Sequence, residues 1–165
     1  MTANRIYFAQ HGLAVDKTVN PDRPLSKAGI EQSSAIALQI HAAGITVSQI
    51  FHSGKLRARQ TAEIFAEHLS VISVTAIDNL SPNDDVRRVI QNLQTNDALY
   101  VGHLPHLEKL VSYLVTGKTE PNIIKFKNSA VVCLKKHENN YLIQWYLTDN
   151  IKNDCSFLQS DSMRL

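Results

Sequence analysis

Three short motifs of this chain carry side chains that could act on an anionic group. His11 ends a short apolar run, Arg57 lies where a helical pattern opens, and His103 follows a second apolar run. A neutral imidazole can attack phosphorus and hold the phosphoryl group as a covalent intermediate. A guanidinium matches the oxygens of phosphate, and a second imidazole can stabilise the charge that develops on them. These residue types therefore indicate phosphoryl transfer, provided that the fold brings them together.

The three motifs stand where predicted strands and helices meet. Apolar runs predict strands over residues 5–9, 47–52, 71–77 and 98–102. Apolar spacing and cap residues predict helices over 26–43 and 56–69, from 81, and from 107 to about 117. Parallel strands end at one edge of a sheet, so the motifs would share one crevice. Strands over 129–134 and 141–147 would add an antiparallel edge. We predict an α/β fold of three layers, α/β/α, with a mostly parallel central sheet.

The first helix is expected to begin after Ser26, whose hydroxyl can accept a hydrogen bond from an unpaired amide. Its predicted apolar face consists of Ile30, Ala37, Leu38 and His41. This helix would connect the strand that carries His11 to the next parallel strand.

Composition is that of an ordinary globular protein. The chain has 165 residues, of which 44% are hydrophobic and 19% charged, and we predict one domain over residues 1–165 with a loosely ordered tail at 148–165. A net charge of +2 is too weak and scattered to indicate nucleic-acid binding. Cys133 and Cys155 do not make a disulfide framework. Without a leader-like segment or an apolar run near 18 residues, we expect a cytoplasmic protein with no membrane partner.

The chain resembles the histidine phosphatase superfamily and, within it, the SixA-type phosphohistidine phosphatases. The resemblance covers the chain to about Leu147 and implies a phosphoglycerate mutase-like fold. The motifs that carry it, in the family's order, are His11-Gly12, Arg23-Pro24-Leu25-Ser26 through Gly29, Ser53 with Leu56-Arg57-Ala58 and Gln60-Thr61, and Gly102-His103-Leu104-Pro105.

The resemblance implies a role for each matched residue. His11 would be the nucleophile that becomes phosphorylated, Arg57 would bind the phosphoryl oxygens, and His103 would stabilise the transferring group. The family's fingerprint has a second phosphate-binding arginine at position 10, where this chain has Gln10. No histidine pair shows a metal-ligand spacing with a supporting carboxylate, so we expect no metal and no cofactor.

Gln10 is the departure with the largest expected effect. Glutamine offers one neutral amide where arginine offers a fixed charge and two parallel donors. Losing a comparable donor lowers a rate by roughly 10²–10³. Lys17 or Arg23, on the loop that follows, could replace the missing arginine. A general acid is also unassigned; Asp84 and Asp85 are the nearest candidates, although a favourable charge at a helix N-terminus is the preferred explanation for both.

We therefore expect a phosphatase that acts through phospho-His11, with its activity reduced by Gln10. The expected substrate is phosphohistidine on a protein, such as a histidine phosphotransfer domain. Two alternatives stay open: a phosphate-binding pseudoenzyme in which Gln10 has weakened catalysis, and a phosphatase for a small phosphoester.

Overall fold

The computed structural model describes residues 4–149. Within them, one mixed sheet of six strands is covered by helices on both faces. The strands are β1 (Arg5–Gln10), β2 (Gln49–His52), β3 (Val74–Ala76), β4 (Ala98–Gly102), β5 (Val131–His137) and β6 (Asn140–Leu147). The helices are α1 (Lys27–Ala42), α2 (Leu56–Leu69), α3 (Val86–Ile90) and α4 (His106–Thr116).

The sheet has the strand order β3-β2-β4-β1-β5-β6. The first four strands in this order pair in parallel, and β5 and β6 pair antiparallel beside β1. The predictions of an α/β fold, a mostly parallel sheet and an antiparallel edge are confirmed.

Side chains of β1 point alternately into two hydrophobic cores, as expected for a strand with both faces covered. Ile6 and Phe8 pack with α3 and α4 on one face. Tyr7 and Ala9 pack with α1 and α2 on the other face. The strand that leads to His11 is therefore fixed from both sides.

The ends of β1 and β4 lie side by side. Gln10 pairs with Gly102, and the His11 amide donates to the Gly102 carbonyl oxygen at 3.1 Å. Since β2 pairs with β4 on its other side, the carboxyl ends of β1, β4 and β2 form one edge. This register places the predicted motifs next to one another.

The apolar face predicted for α1 is wrong in most of its members. Ile36 and Ile40 are buried together with Ala37, whereas Ile30 is 46% and Leu38 51% exposed. His41 is also exposed. The buried face is set by small residues, because a Cβ at Gly29 would lie 2.1 Å from the Leu13 carbonyl oxygen. Counting apolar side chains misses this close approach of the helix to the loop after β1.

Two predicted boundaries move for local reasons. The strand expected over 71–77 is β3 over 74–76, because the C-cap residue of α2, Ser70, is left-handed and the Val71 amide still bonds to the Ala66 carbonyl oxygen. The helix expected from 81 is α3, which Asp85 caps through a bond from the Arg87 amide.

Most of the predicted tail, residues 150–165, lies outside the described residues. Cys155 belongs to that part of the chain. The helices that are described include none long and apolar enough to cross a membrane.

Candidate active site

His11 lies at the carboxyl end of β1 with 8% of its surface exposed. Its Nδ1 is 2.7 Å from the Gly12 carbonyl oxygen. A carbonyl oxygen only accepts, so Nδ1 carries the proton and the lone pair of the neutral ring is on Nε2. The Arg57 Nε–H donates to this Nε2 at 3.2 Å. The backbone thus selects the tautomer in which the unprotonated nitrogen faces the guanidinium.

The pKa of His11 is lowered to about 4. Burial is the main cause, because desolvation disfavours the charged ring. The bond to Gly12 opposes the shift, while the positive charges of Arg57 and Arg23 add to it. His11 is therefore neutral at pH 7, the form that can attack phosphorus.

Arg57 stands in the first turn of α2, where the helix leaves the edge of the sheet. Burial and the charge of Arg23 lower the pKa of Arg57. The same Arg23 lowers the pKa of His11, while its own Nε donates to the Val15 carbonyl oxygen at 3.3 Å. Of the two residues suggested as replacements for the missing arginine, Arg23 is therefore the one whose charge reaches the site, and Lys17 is exposed.

His103 follows β4 and is 1% exposed. Its ring centroid is 4.9 Å from that of His11, and its Nε2 is 2.5 Å from the Ser53 hydroxyl oxygen. Burial, followed by the charges of His11, Arg57 and Lys55, lowers the pKa of His103 to about 2. The ring is neutral, and a phosphoryl dianion beside it would favour its protonated form.

The side chains of Gln10 and Arg57 approach the same atom, His11 Nε2. The Gln10 side chain is buried, and its Nε2 lies 3.4 Å from the His11 Nε2. Within residues 4–149, its buried Oε1 has no hydrogen-bond partner. The amide of Gln10 and the guanidinium of Arg57 therefore converge on one nitrogen of His11.

The backbone after His11 is held by residues from two other elements. The Gly12 amide donates to the Thr61 hydroxyl at 2.9 Å, and that hydroxyl donates to the Arg57 carbonyl oxygen at 2.7 Å. The Asn128 side chain donates to the His11 carbonyl oxygen at 3.2 Å. Thr61 belongs to a motif that the sequence singles out, whereas Asn128 has no local signal.

Asp84 and Asp85 make contacts of a structural kind. Asp84 accepts a bond from the Ser81 amide at 2.7 Å, and Asp85 caps α3. These contacts fit the preferred explanation for both carboxylates rather than a role as general acid. In the described part of the chain, no group of three or more His, Cys, Asp or Glu side chains is placed to hold a metal ion.

Comparison with known proteins gives consistent matches. Residues 6–82 match the model of the histidine phosphatase superfamily (branch 1). The chain is 29% identical over 153 residues to phosphohistidine phosphatase SixA of Escherichia coli (strain K12), a match that covers 87% of this chain and 93% of that protein.

Solved structures agree with the sequence matches. The structure of the protein histidine phosphatase SixA complexed with tungstate has a TM-score of 0.78 and 27% identity, with 87% of this chain and 96% of that chain covered. A SixA protein of Agrobacterium tumefaciens, at 18% identity, has a TM-score of 0.74 and covers 90% of this chain and 99% of its own. The second likeness concerns the fold alone.

Proposed function

We propose that the chain is a member of the histidine phosphatase superfamily and that it removes phosphoryl groups through a covalent intermediate on His11, from phosphohistidine on a protein. The phosphatase class follows from the similarity to SixA. The substrate and the roles of the site residues are our proposal.

One observation carries the proposal: the donors of the site converge on the lone pair of His11 Nε2. Arg57 Nε lies 3.2 Å from this nitrogen and Gln10 Nε2 lies 3.4 Å from it. A phosphoryl group that enters between them would meet the nucleophile and its hydrogen-bond donors at once. Donors held in place beforehand stabilise the transition state without further reorganisation.

The reaction then takes place in two steps. The lone pair of His11 Nε2 forms a bond to phosphorus, and the donor's N–P bond breaks with its electron pair left on the departing nitrogen. Water next attacks phospho-His11, the new N–P bond breaks, and the pair returns to Nε2 as inorganic phosphate leaves. Arg57, Gln10 and His103 bind the oxygens in both steps.

A phosphoramidate substrate suits a site in which no general acid has been assigned. Asp84 and Asp85 accept backbone hydrogen bonds next to α3, which gives both carboxylates a structural role, and we assign neither as a dedicated acid. A nitrogen leaving group that is already protonated leaves without one. Phosphohistidine, the substrate in the name of the Escherichia coli relative, therefore suits this site better than an unactivated phosphoester.

Gln10 favours one second candidate, a pocket that binds phosphoryl groups but turns them over poorly. Arginine would bring a fixed charge to this position, and glutamine brings none. In this case the protein would recognise a phosphorylated partner through Arg57 and His103 while His11 reacts slowly.

Trapping of the intermediate separates the two functions. The protein is incubated with a ³²P-labelled phosphohistidine protein, and we expect acid-labile label on His11 together with release of phosphate. His11→Ala should abolish the label, whereas His137→Ala, an exposed histidine at the end of β5, should leave it unchanged. Vanadate binding without label would instead establish the binding module. A faster reaction with an aryl phosphate would favour the small phosphoester as substrate.

A further inference from the structure

A cavity of about 540 Å³ opens beside the candidate active site. Ser53 belongs to both, because its hydroxyl bonds to His103 and its side chain also lines the cavity. The His103 ring packs against His11. The cavity therefore begins one side chain away from the pair of imidazoles, at the same edge of the sheet.

The floor of this cavity is aromatic and its rim is polar. The Phe51 ring stacks on Tyr100, with centroids 4.9 Å apart and an interplanar angle of 26°. Tyr100 is fully buried and its hydroxyl accepts a bond from the Gln94 amide at 2.9 Å, so the partly exposed Phe51 ring is the aromatic surface of the cavity. Asn79 and Asn92 stand at the rim with the side chain of Gln94. The cavity thus offers a flat apolar surface and neutral hydrogen-bonding groups.

The charge of the cavity is opposite to that of the phosphoryl position. Among the described residues that line it, Asp78 is acidic and none is a lysine or arginine. At the imidazole pair, by contrast, the charges of Arg57 and Arg23 act on His11, and the charge of Lys55 acts on His103. An anionic group is therefore favoured beside the imidazole pair, and a neutral or cationic group is favoured in the cavity.

We propose that the cavity holds the leaving group and selects a neutral or cationic nitrogen ring, the imidazole of an N-phosphorylated histidine. This assignment rests on the proposed function and extends it, because it names the surface that distinguishes substrates. A planar ring can stack on Phe51, and its second ring nitrogen can form a hydrogen bond with a polar rim residue or with Asp78. A phosphoester that carries a carboxylate would place like charges together at Asp78.

The position of Asp78 also bears on the chemistry. A carboxylate close to an N-phosphorylated imidazole favours the ring that is protonated on its second nitrogen. When His11 forms its bond to phosphorus, the N–P bond of that ring breaks and the pair stays on the ring nitrogen. A protonated ring then leaves as neutral imidazole, so no further proton has to be delivered. Asp78 is thus a specificity-determining residue for this reaction.

The test compares phosphoryl donors that differ in their leaving group. Phosphoramidate has no ring and serves as the internal reference, free phosphohistidine and a phosphohistidine peptide carry the ring, and phosphoglycolate carries a carboxylate. Asp78→Lys should lower kcat/KM about five- to tenfold for both phosphohistidine donors, mainly through KM, and raise it for phosphoglycolate. The kcat/KM for phosphoramidate should change less than about twofold.

Glu67→Lys is the matched control. It makes the same change in net charge near the end of α2, about 15 Å along the helix from Arg57, and should leave all four donors unchanged. A second variant, Ala76→Trp, places a large side chain on the exposed end of β3 that lines the cavity. It should reduce the use of phosphohistidine at least about tenfold while phosphoramidate is still turned over.

Two results would overturn the assignment. One is a kcat/KM that falls equally for phosphoramidate and phosphohistidine in Asp78→Lys, or that falls for neither. The other is a kcat/KM that falls for the peptide donor alone, since the ring would then not be what Asp78 recognises. Failure of the proposed function looks different: the unchanged protein would acquire no acid-labile label on His11 from phosphoramidate.

Discussion

At the residue scale, the site controls which form of His11 is present. Burial removes the charge from the ring, and the Gly12 carbonyl oxygen fixes the proton on Nδ1. The two effects act on different properties, the protonation state and the tautomer. Together they leave a lone pair on Nε2 that faces Arg57.

The first prediction concerns the titration of His11. Because the pKa of His11 is lowered to about 4, the neutral ring should persist from pH 8 down to about pH 5 in the absence of ligand. NMR of the ring nitrogens should show Nδ1 protonated and Nε2 unprotonated over this range. A midpoint for His11 near 6.5, the ordinary histidine value, would contradict the proposed environment. Exposed His137 provides the reference signal.

The second prediction concerns Gln10. Gln10→Arg should raise kcat by roughly 10²–10³ if the added donor binds the transition state as a comparable donor does. The same variant should be less stable without phosphate, since a third cation would join Arg57 and Arg23, and phosphate should restore its Tm. Gln10→Met, which keeps the length and removes the amide, should be slower than the unchanged protein. Unchanged turnover in Gln10→Arg would show that Gln10 does not limit the reaction.

At the element scale, α2 and β1 are joined at the site by one hydroxyl. Thr61 accepts from the Gly12 amide and donates to the Arg57 carbonyl, so it connects the residue after His11 to Arg57. Thr61 is fully buried, so it has this polar role in addition to packing between the two elements.

The third prediction follows from this link. Thr61→Val keeps the shape of the side chain but leaves the buried Gly12 amide without its acceptor, at a cost of about 1–3 kcal/mol in stability. We expect kcat to fall as well, because His11 and Arg57 lose their common support. Thr61→Ser retains the hydroxyl and should retain most of the activity. Equal losses in the valine and serine variants, measured by urea unfolding and turnover, would assign Thr61 to packing.

What the sequence could predict about the site depended on strand ends. His11 and His103 converge because parallel strands share an edge, and the order of the motifs predicted that Arg57 would lie beside them. The phosphoglycerate mutase-like fold is likewise as predicted. The Ser53–His103 contact spans 50 residues and the Asn128–His11 contact 117. No local pattern reports such pairs, since they depend on the strand order. The face of α1 was missed because it begins with Gly29 and Ser33, neither of which is a large apolar residue that would have placed Ile36 and Ile40 on it.

At the scale of the whole molecule, buried histidines make folding sensitive to acid. Burial is the main cause of a lowered pKa in four histidines: His11, His52, His103 and His106. His106 is fully buried, and among the described residues neither of its ring nitrogens has a hydrogen-bond partner. The charges of Asp84 and Asp85 oppose the shift at His106.

The fourth prediction is the pH dependence of stability. In the unfolded chain these rings take up protons near pH 6.5, whereas in the folded chain they stay neutral to lower pH, to about 4 for His11. The unfolded state then binds more protons, so stability is fully present above pH 6.5 and is lost as the pH falls. Each such histidine contributes at most about 1.4 kcal/mol per pH unit.

Tm measured between pH 7 and pH 5 gives the test. His106→Leu should flatten the dependence and raise stability at pH 7, because it removes a buried ring whose nitrogens lack partners. His41→Leu, at an exposed position on α1, is the control and should leave the slope as it is. The same slope in His106→Leu and in the unchanged protein would contradict this account.

The strand order has a consequence for biosynthesis. β1 lies between β4 and β5, so the strand that leads to His11 has no neighbour in the sheet until the ribosome has translated β4. The N-terminal segment emerges first and must wait for partners about ninety residues behind it, such as Ala98 for Ile6. During that interval His11 is an ordinary solvated histidine without a fixed tautomer. A nascent chain that ends before β4 would contain His11 without the neighbours that fix its tautomer. We therefore expect activity only in chains translated beyond β4.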